Sequence, residues 1–517
     1  MDKMNMQSTG PSTTWYKPLN KHSDSRVTDE KKMRYTKVFR PKTSKPGIWF
    51  CVLLATGLLG SGLLGCESAP SVGVEVAPRA ELAIINATLI DAVGGERRGQ
   101  TVLVANGKIV AVHDAGIPFE SLATLDGTGK FLIPGLWDMH VHITYEPELT
   151  ELMPELFLSY GITSVRDTGG LLDNLLPEVR RWRAAKATAP RIFFSGPLLD
   201  GTRVVYNGQA VPEIGIANPT PEVAIANIAL LKSAGVDFVK TYELVTPDVF
   251  KALTSAARDA GLPIASHVPL MMSATDAGPM VDSMEHLRNV ELACAGNAQE
   301  LLEARVTSLN APTSEPGISL RRGIHTEQRP IAINNYDQIS CNEVIQALRK
   351  TIQVPTLRLN TSALYQPYDR PDWQEAVSHL PEDAEQRWLS TGKQWSERRP
   401  SLETQTGEFS LSLVRQMHRA GVPIGAGTDT PIGSALPGYS LHTELERLVE
   451  AGLRPIEALA AATLVPARFV RKEQEMGEIK TGFVADLVLL DKNPMTDITN
   501  SRSINTVISK GKIVHSN

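Results

Sequence analysis

The chain holds four cysteines in 517 residues, far too few to staple a fold of this size. It has no surplus of positive charge. Its 52 Lys and Arg face 57 Asp and Glu, a net of −5, which leaves no electrostatic footprint for nucleic acid. It is not short of apolar residues. At 42% hydrophobic and 21% charged, the composition excludes wholesale disorder. The length exceeds one minimal domain and allows a large core with an appended module.

The charge is unevenly spread. Residues 1–65 carry eleven Lys and Arg against four Asp and Glu, so a basic head precedes an acidic body. Ile48 to Gly65 is an uncharged run of 18 residues. Basic residues, an apolar run and a small-residue end describe an export leader. The closing Leu63-Leu64-Gly65-Cys66 resembles a bacterial lipobox, so residues 1–66 read as a leader with a lipoprotein-type signal, which implies cleavage before Cys66 and lipidation of Cys66 as the mature N-terminus. An uncleaved membrane anchor is the alternative, and Met33 is a candidate start. Either way the body is expected outside the cytoplasm, tethered by lipid to a bacterial membrane on its periplasmic side. Cys294 and Cys341 then remain in an oxidising compartment, where a disulfide competes with two buried thiols.

Short apolar runs fill 76–130, and Asn106-Gly107 is a strong hairpin signal. Residues 471–517 repeat this texture, so the two ends are expected to share one small β-sandwich domain. Between them, over 131–470, eight apolar runs alternate with helical stretches: 131–133, 162–165, 191–194, 238–239, 263–265, 283–284, 354–357 and 422–425. Helices are expected at 221–234, 246–260 and 441–451. Alternation of this kind predicts an α/β fold, a (β/α)8 TIM-type barrel with its site at the strand ends; a doubly wound open sheet is the alternative. The polar stretch from about 296 to 400 reads as a helical insertion able to shape a pocket.

The sharpest local feature is PGLWDMHVH at 134–142. His140 and His142, two apart on a strand, point to one face and can reach one metal. Lys240 ends a strand-like run, where a lysine is costly unless its charge is removed or paired. His267, His286 and Asp429 end three further runs. Singly, each reads as a core or rim residue. Together they are hard to explain structurally.

With TSVRDTGG (163–170), VDFVKTY (236–242), SHV (266–268), SMEHL (283–287) and AGTDTP (426–431), the sequence resembles the amidohydrolase superfamily. The likeness is to its imidazolonepropionase-like and Xaa-Pro dipeptidase-like branch, and it runs from about residue 80 to 517. SLHTELERLVEAGLRPIEALAAAT (440–463) and GEIKTGFVADLVLLDKNPMTDI (477–498) carry it onward. The resemblance implies two divalent metals, zinc by donor chemistry. It implies that His140, His142 and Asp429 hold the more buried ion and His267 and His286 the second. Lys240, carboxylated by carbon dioxide, would bridge them. A metal-bridging hydroxide would then cleave a carbon–nitrogen amide bond of a small dipeptide-like or N-acyl amino acid substrate, with Asp429 as proton shuttle.

Arg166, Tyr242, Arg203 and Tyr206 are weaker candidates for substrate binding. His442 reads as structural, and His325 as surface or packing. One rival is a mononuclear cyclic-amide hydrolase or deaminase. Another is a non-catalytic envelope binding protein, which the intact ligand set opposes. A homo-oligomer is compatible with the sequence.

Overall fold

The computed structural model describes residues 79–184, 186–397 and 401–516. The leader, Cys66 and residues 76–78 lie outside them. Near the beginning come β1 (Ala80–Asp91), β2 (Gly95–Ala105), β3 (Lys108–Asp114), β4 (Ser121–Asp126) and β5 (Phe131–Pro134). The middle holds β6 (Leu136–Val141), β7 (Ile162–Asp167), β8 (Arg191–Phe194), β9 (Leu198–Asp200), β10 (Gly215–Ala217), β11 (Val239–Thr241), β12 (Ile264–Ser266), β13 (Ser283–Glu285) and β14 (Ile352–Val354). At the end are β15 (Leu487–Leu490), β16 (Ile504–Ser509) and β17 (Lys512–Ser516).

Both ends of the chain build one sheet of eight strands, ordered β17-β16-β15-β5-β1-β2-β3, with β4 also on β1. The β2–β3 turn needs two left-handed residues, and Asn106 and Gly107 supply them at φ 52° and 72°. In the centre, Leu132 of β5 faces Leu89 of β1 in parallel and Leu489 of β15 antiparallel. Leu89, Val104, Leu132, Phe483 and Leu489 share one buried apolar cluster. Burying each large aliphatic side chain contributes about 1.5–3 kcal/mol.

One expectation is corrected here. The run Phe131–Ile133 is not the first strand of the α/β array. It belongs to the terminal sheet, between β1 and β15. A short apolar run does not say which sheet will bury it, and the chain passes from one sheet to the other at Gly135. The terminal strands are joined into one hydrogen-bonded sheet in which β1 carries β2 on one edge and β4 and then β5 on the other.

The middle strands pair in parallel, β6-β7-β8 in one ladder and β10-β9-β11-β12-β13-β14 in another. The expected third run is split: β8 pairs with β7, and β9, just beyond it, pairs with β11. The expected strand at 422–425 is absent as a regular element. Its backbone bonds singly to both sides instead. Gln353 N–H reaches Pro423 O at 2.9 Å and Gly425 N–H reaches Gln353 O at 2.8 Å. Then Met139 N–H reaches Ala426 O at 2.9 Å, and Asp429 N–H reaches His140 O at 2.8 Å. Residues 423–430 thus lie against both β14 and β6, and neither keeps a free edge there.

Helices Pro221–Ala234, Pro247–Asp259 and Tyr439–Glu450 fall where the periodicity predicts. The first has Thr220 capping Val223 N–H, Pro221 in its first turn and a left-handed Gly235 at its end. The inserted stretch is helical, chiefly at Ala298–Asn310, Gly317–Asn334, Gln338–Ala347 and Glu382–Glu397. A disulfide joins Cys294, just before this stretch, to Cys341 on helix Gln338–Ala347. Among the described residues no helix is long and apolar enough to cross a membrane.

Candidate metal centre

The C-terminal ends of β6, β11, β12 and β13 and the 423–430 segment meet at one cavity of about 390 Å³. His140 sits near the end of β6 and His142 just past it. Lys240 is the central residue of β11. His267 and His286 directly follow β12 and β13, and Asp429 lies in the 423–430 segment. All six line the cavity, and each is between 1% and 6% exposed. Donor atoms of His140, His286 and Asp429 lie within 4.8 Å of one another. Asp429 Oδ1 is 3.2 Å from His140 Nε2 and 3.3 Å from His142 Nε2. The rings of His267 and His286 are 4.8 Å apart.

Each imidazole is held from behind by its other nitrogen. His140 Nδ1 is 2.7 Å from Glu285 Oε2, and His267 Nδ1 is 2.7 Å from Glu243 Oε1. His142 Nδ1 is 3.0 Å from Gly169 O. His286 Nδ1 is 2.8 Å from Thr356 Oγ1, whose own proton goes to Pro355 O. All four partners accept, so all four Nδ1 atoms carry the proton and the Nε2 lone pairs are left for the cavity. Anchoring of this kind is what a histidine-bound metal needs.

Burial works against every charge here, and neighbours decide which charges survive. Glu285 stays well below the usual carboxylate range because Arg166 and Lys240 outweigh burial. Glu243 does so through Arg321 and His325. Asp429 is likewise held as a carboxylate, by the histidines. Burial, then Lys240, pushes His267 down to about 3, and burial also takes His286 well below its usual value. His142 rises instead, because Asp429 outweighs its burial. Lys240 falls to about 8, chiefly from burial, and its Nζ has no hydrogen-bond partner among the described residues. The backbone is strained at two of the six: His286 and Asp429 hold φ of 64° and 65°, each at a cost of about 1–3 kcal/mol.

The donor set fits a divalent-metal site. It offers four imidazoles anchored through Nδ1, one carboxylate and one amine without a hydrogen-bond partner among the described residues.

The weaker candidates divide. Tyr206 and Tyr242 line the cavity, edge to face at 5.6 Å. Arg166 does not line it. Its guanidinium is buried behind the site on Glu285 at 2.8 Å, on Ser283 Oγ at 2.9 Å and on Met139 O, so it positions His140 through Glu285. Arg203 also lies off the cavity, with Nη2 on Thr313 O at 3.1 Å. His442 packs between Ser501 Oγ and Tyr160 O. His325 corrects the sequence reading. It lines the cavity and holds Glu243 Oε2 at 2.6 Å. Arg321, His325 and Arg329 recur every fourth residue on helix Gly317–Asn334, and that stripe was the available signal. Arg288 and Glu403 also line the cavity without having been anticipated.

Residues 408–514 match the amidohydrolase family model. That segment includes Asp429 but none of the five cavity histidines named above. The imidazolonepropionase of Symbiobacterium thermophilum is 24% identical over 432 residues, covering 79% of this chain and 91% of that protein. The ochratoxinase of Aspergillus niger is 38% identical over 82 residues, 16% of each chain. Among solved structures, a Xaa-Pro dipeptidase with bound methionine superposes with a TM-score of 0.59 at 19% identity, covering 84% of this chain and 100% of the other. Bottromycin amidohydrolase gives 0.61 at 21% identity, covering 85% and 88%. The amidohydrolase resemblance carried by the motifs therefore stands. With it stands the assignment as a hydrolase acting on carbon–nitrogen bonds.

Proposed function

We propose that this amidohydrolase-type chain is a metal-dependent hydrolase that cleaves the amide bond of a small dipeptide-like or N-acyl amino acid substrate. Its parallel strands would form a closed (β/α)8 barrel, for which the double bonding of residues 423–430 is the support. The observation that carries the reading is the set of four imidazoles locked through Nδ1 around Asp429 and an unpartnered Lys240.

In this reading His140, His142 and Asp429 hold one ion, and His267 and His286 the other. Two divalent ions, zinc foremost, would supply Lewis acidity toward the amide carbonyl and water acidic enough to react near neutrality. Lys240 would join the two ligand groups as a carbamate: its nitrogen bonds to carbon dioxide and releases a proton to solvent. The lowered Lys240 value favours the neutral amine that this addition needs. Asp429, held ionised, accepts a proton and returns it to the leaving nitrogen. Tyr206 and Tyr242 wall the cavity beside His267 and limit water. The basic, then apolar, run before Cys66 supports export and lipid anchorage.

A second reading is a mononuclear enzyme opening a cyclic amide or deaminating a heterocycle. It draws on the tight grouping of only His140, His286 and Asp429. Protein supplied with zinc and bicarbonate would be screened against dipeptides, N-acyl amino acids and cyclic amides, with products read by mass spectrometry and a chelator control. Chelator-sensitive release of amino acids supports the first reading. Ring opening or ammonia release alone supports the second, and failure to bind any metal sinks both.

A further inference from the structure

Two side chains of opposite charge line the cavity without a partner. Arg288 lies two residues beyond His286, on the loop leaving β13. Glu403 lies in the first turn of helix Ser401–Arg419, which leads to the Asp429 segment. Among the described residues, Arg288 Nε and Glu403 Oε2 are buried with no hydrogen-bond partner, and neither side chain has an ion-pair partner.

The neighbouring charges differ in this respect. Arg321 is compensated by Glu243 at 2.7 Å, and Arg329 by Glu291 at 2.6 Å. Asp429 has the histidines. Arg288 has no such counter-charge at hydrogen-bond distance among the described residues. A charge removed from water without a counter-charge is costly. A fold keeps such a group in a ligand cavity most readily when the ligand brings the missing partner.

We infer that Arg288 and Glu403 form a specificity pair that takes the two charged ends of a zwitterionic peptide. The guanidinium pairs with the terminal carboxylate, for which its planar fork is suited. The carboxylate takes the terminal ammonium. The inference rests on the amide-hydrolase reading and narrows it. An N-acyl amino acid satisfies Arg288 but leaves Glu403 Oε2 unpaired, so an unblocked dipeptide is the preferred substrate class. Rejection of a ligand that leaves a buried polar group unpaired is the strong form of discrimination available to a site.

The test is binding rather than turnover. The probe is an uncleavable dipeptide isostere in which CH2 replaces the peptide nitrogen, in its zwitterionic, N-acetylated and C-amidated forms. Calorimetry on the full chain is expected to find the zwitterion tighter than either blocked form by at least about tenfold. Arg288→Gln should erase the preference over the C-amidated form only, and Arg288→Lys should restore part of it. Glu403→Gln should erase the preference over the N-acetylated form only. Each ratio is taken within one protein, so a general loss of folding moves none of them. Equal binding of the three forms, no binding of the zwitterion, or ratios unmoved in the variants would overturn the inference. Tight binding of the zwitterionic isostere, with no cleavage of the corresponding true dipeptides by the zinc- and bicarbonate-supplied protein, would overturn the hydrolase reading and leave the specificity pair standing.

Discussion

Glu285 Oε2 lies 2.7 Å from His140 Nδ1, and the same carboxylate receives Arg166 Nη2 at 2.8 and 2.9 Å. One buried anion therefore fixes the proton on a cavity histidine and neutralises a buried guanidinium. Glu285→Gln leaves Arg166 without its counter-charge. The expected loss is about 3–5 kcal/mol of stability and roughly 10–100-fold in metal affinity. Urea unfolding and zinc titration check this, and unchanged values in both would contradict the positioning role.

Lys240 should behave in the opposite way. Its Nζ has no hydrogen-bond partner among the described residues, so Lys240→Met removes a desolvated amine and fills the space. Metal-free Lys240→Met is expected to be at least as stable as the parent. Its bound metal should fall from two ions per chain to one or none, and hydrolysis should be lost. Elemental analysis of dialysed protein reads the stoichiometry. Retention of two ions would remove Lys240 from the site.

Glu444, on helix Tyr439–Glu450, is fully buried, and burial raises its carboxyl from 4.5 to about 8 despite an N–H from Arg358. Between those values the folded chain keeps a proton that the unfolded chain has released. Its stabilising contribution is complete below about pH 4.5 and lost as pH rises toward 8. The size is on the order of a few kcal/mol. Urea unfolding in chelator at pH 5 and pH 8 should show stability falling with pH. Glu444→Gln should flatten that fall, and an equal slope in both proteins would count against it.

The Cys294–Cys341 disulfide closes a loop with a sequence separation of 47 residues. Reduction, or Cys341→Ser, is expected to cost about 2–4 kcal/mol. Because Cys294 begins the insertion that carries Arg321 and His325, activity should fall at lower denaturant than in the oxidised protein. Mass after alkylation without reductant reads the bond directly, and alkylation of both thiols would refute it.

The sequence exposes some of these features more readily than others. His140 and His142 are legible because a strand sends alternate residues to one face. The Asn106-Gly107 hairpin and the Thr220–Gly235 helix are legible because their turns and caps need particular residues. The positioning role of Arg166 is not legible because its partner Glu285 is 119 residues away, and no local pattern encodes that meeting. Phe131–Ile133 was placed in the wrong sheet because its neighbours β1 and β15 come from opposite ends of the chain. The stripe Arg321, His325, Arg329 has a readable period, but a period does not tell which wall a helix faces.

Lys130 and Asp491 form an ion pair at 2.6 Å between residues 361 apart in sequence, beside the pairing of β5 with β15. That ladder cannot form until nearly the whole chain has been synthesised. During translation the first five strands must wait with an open edge on β5, and the wait lasts for most of elongation. A chaperone that shields this edge, or transport in an unfolded state, would protect the protein at its most aggregation-prone stage. Loss of the last thirty or so residues would leave that edge permanently uncovered, so premature termination should yield insoluble chains even though every cavity-lining histidine is present.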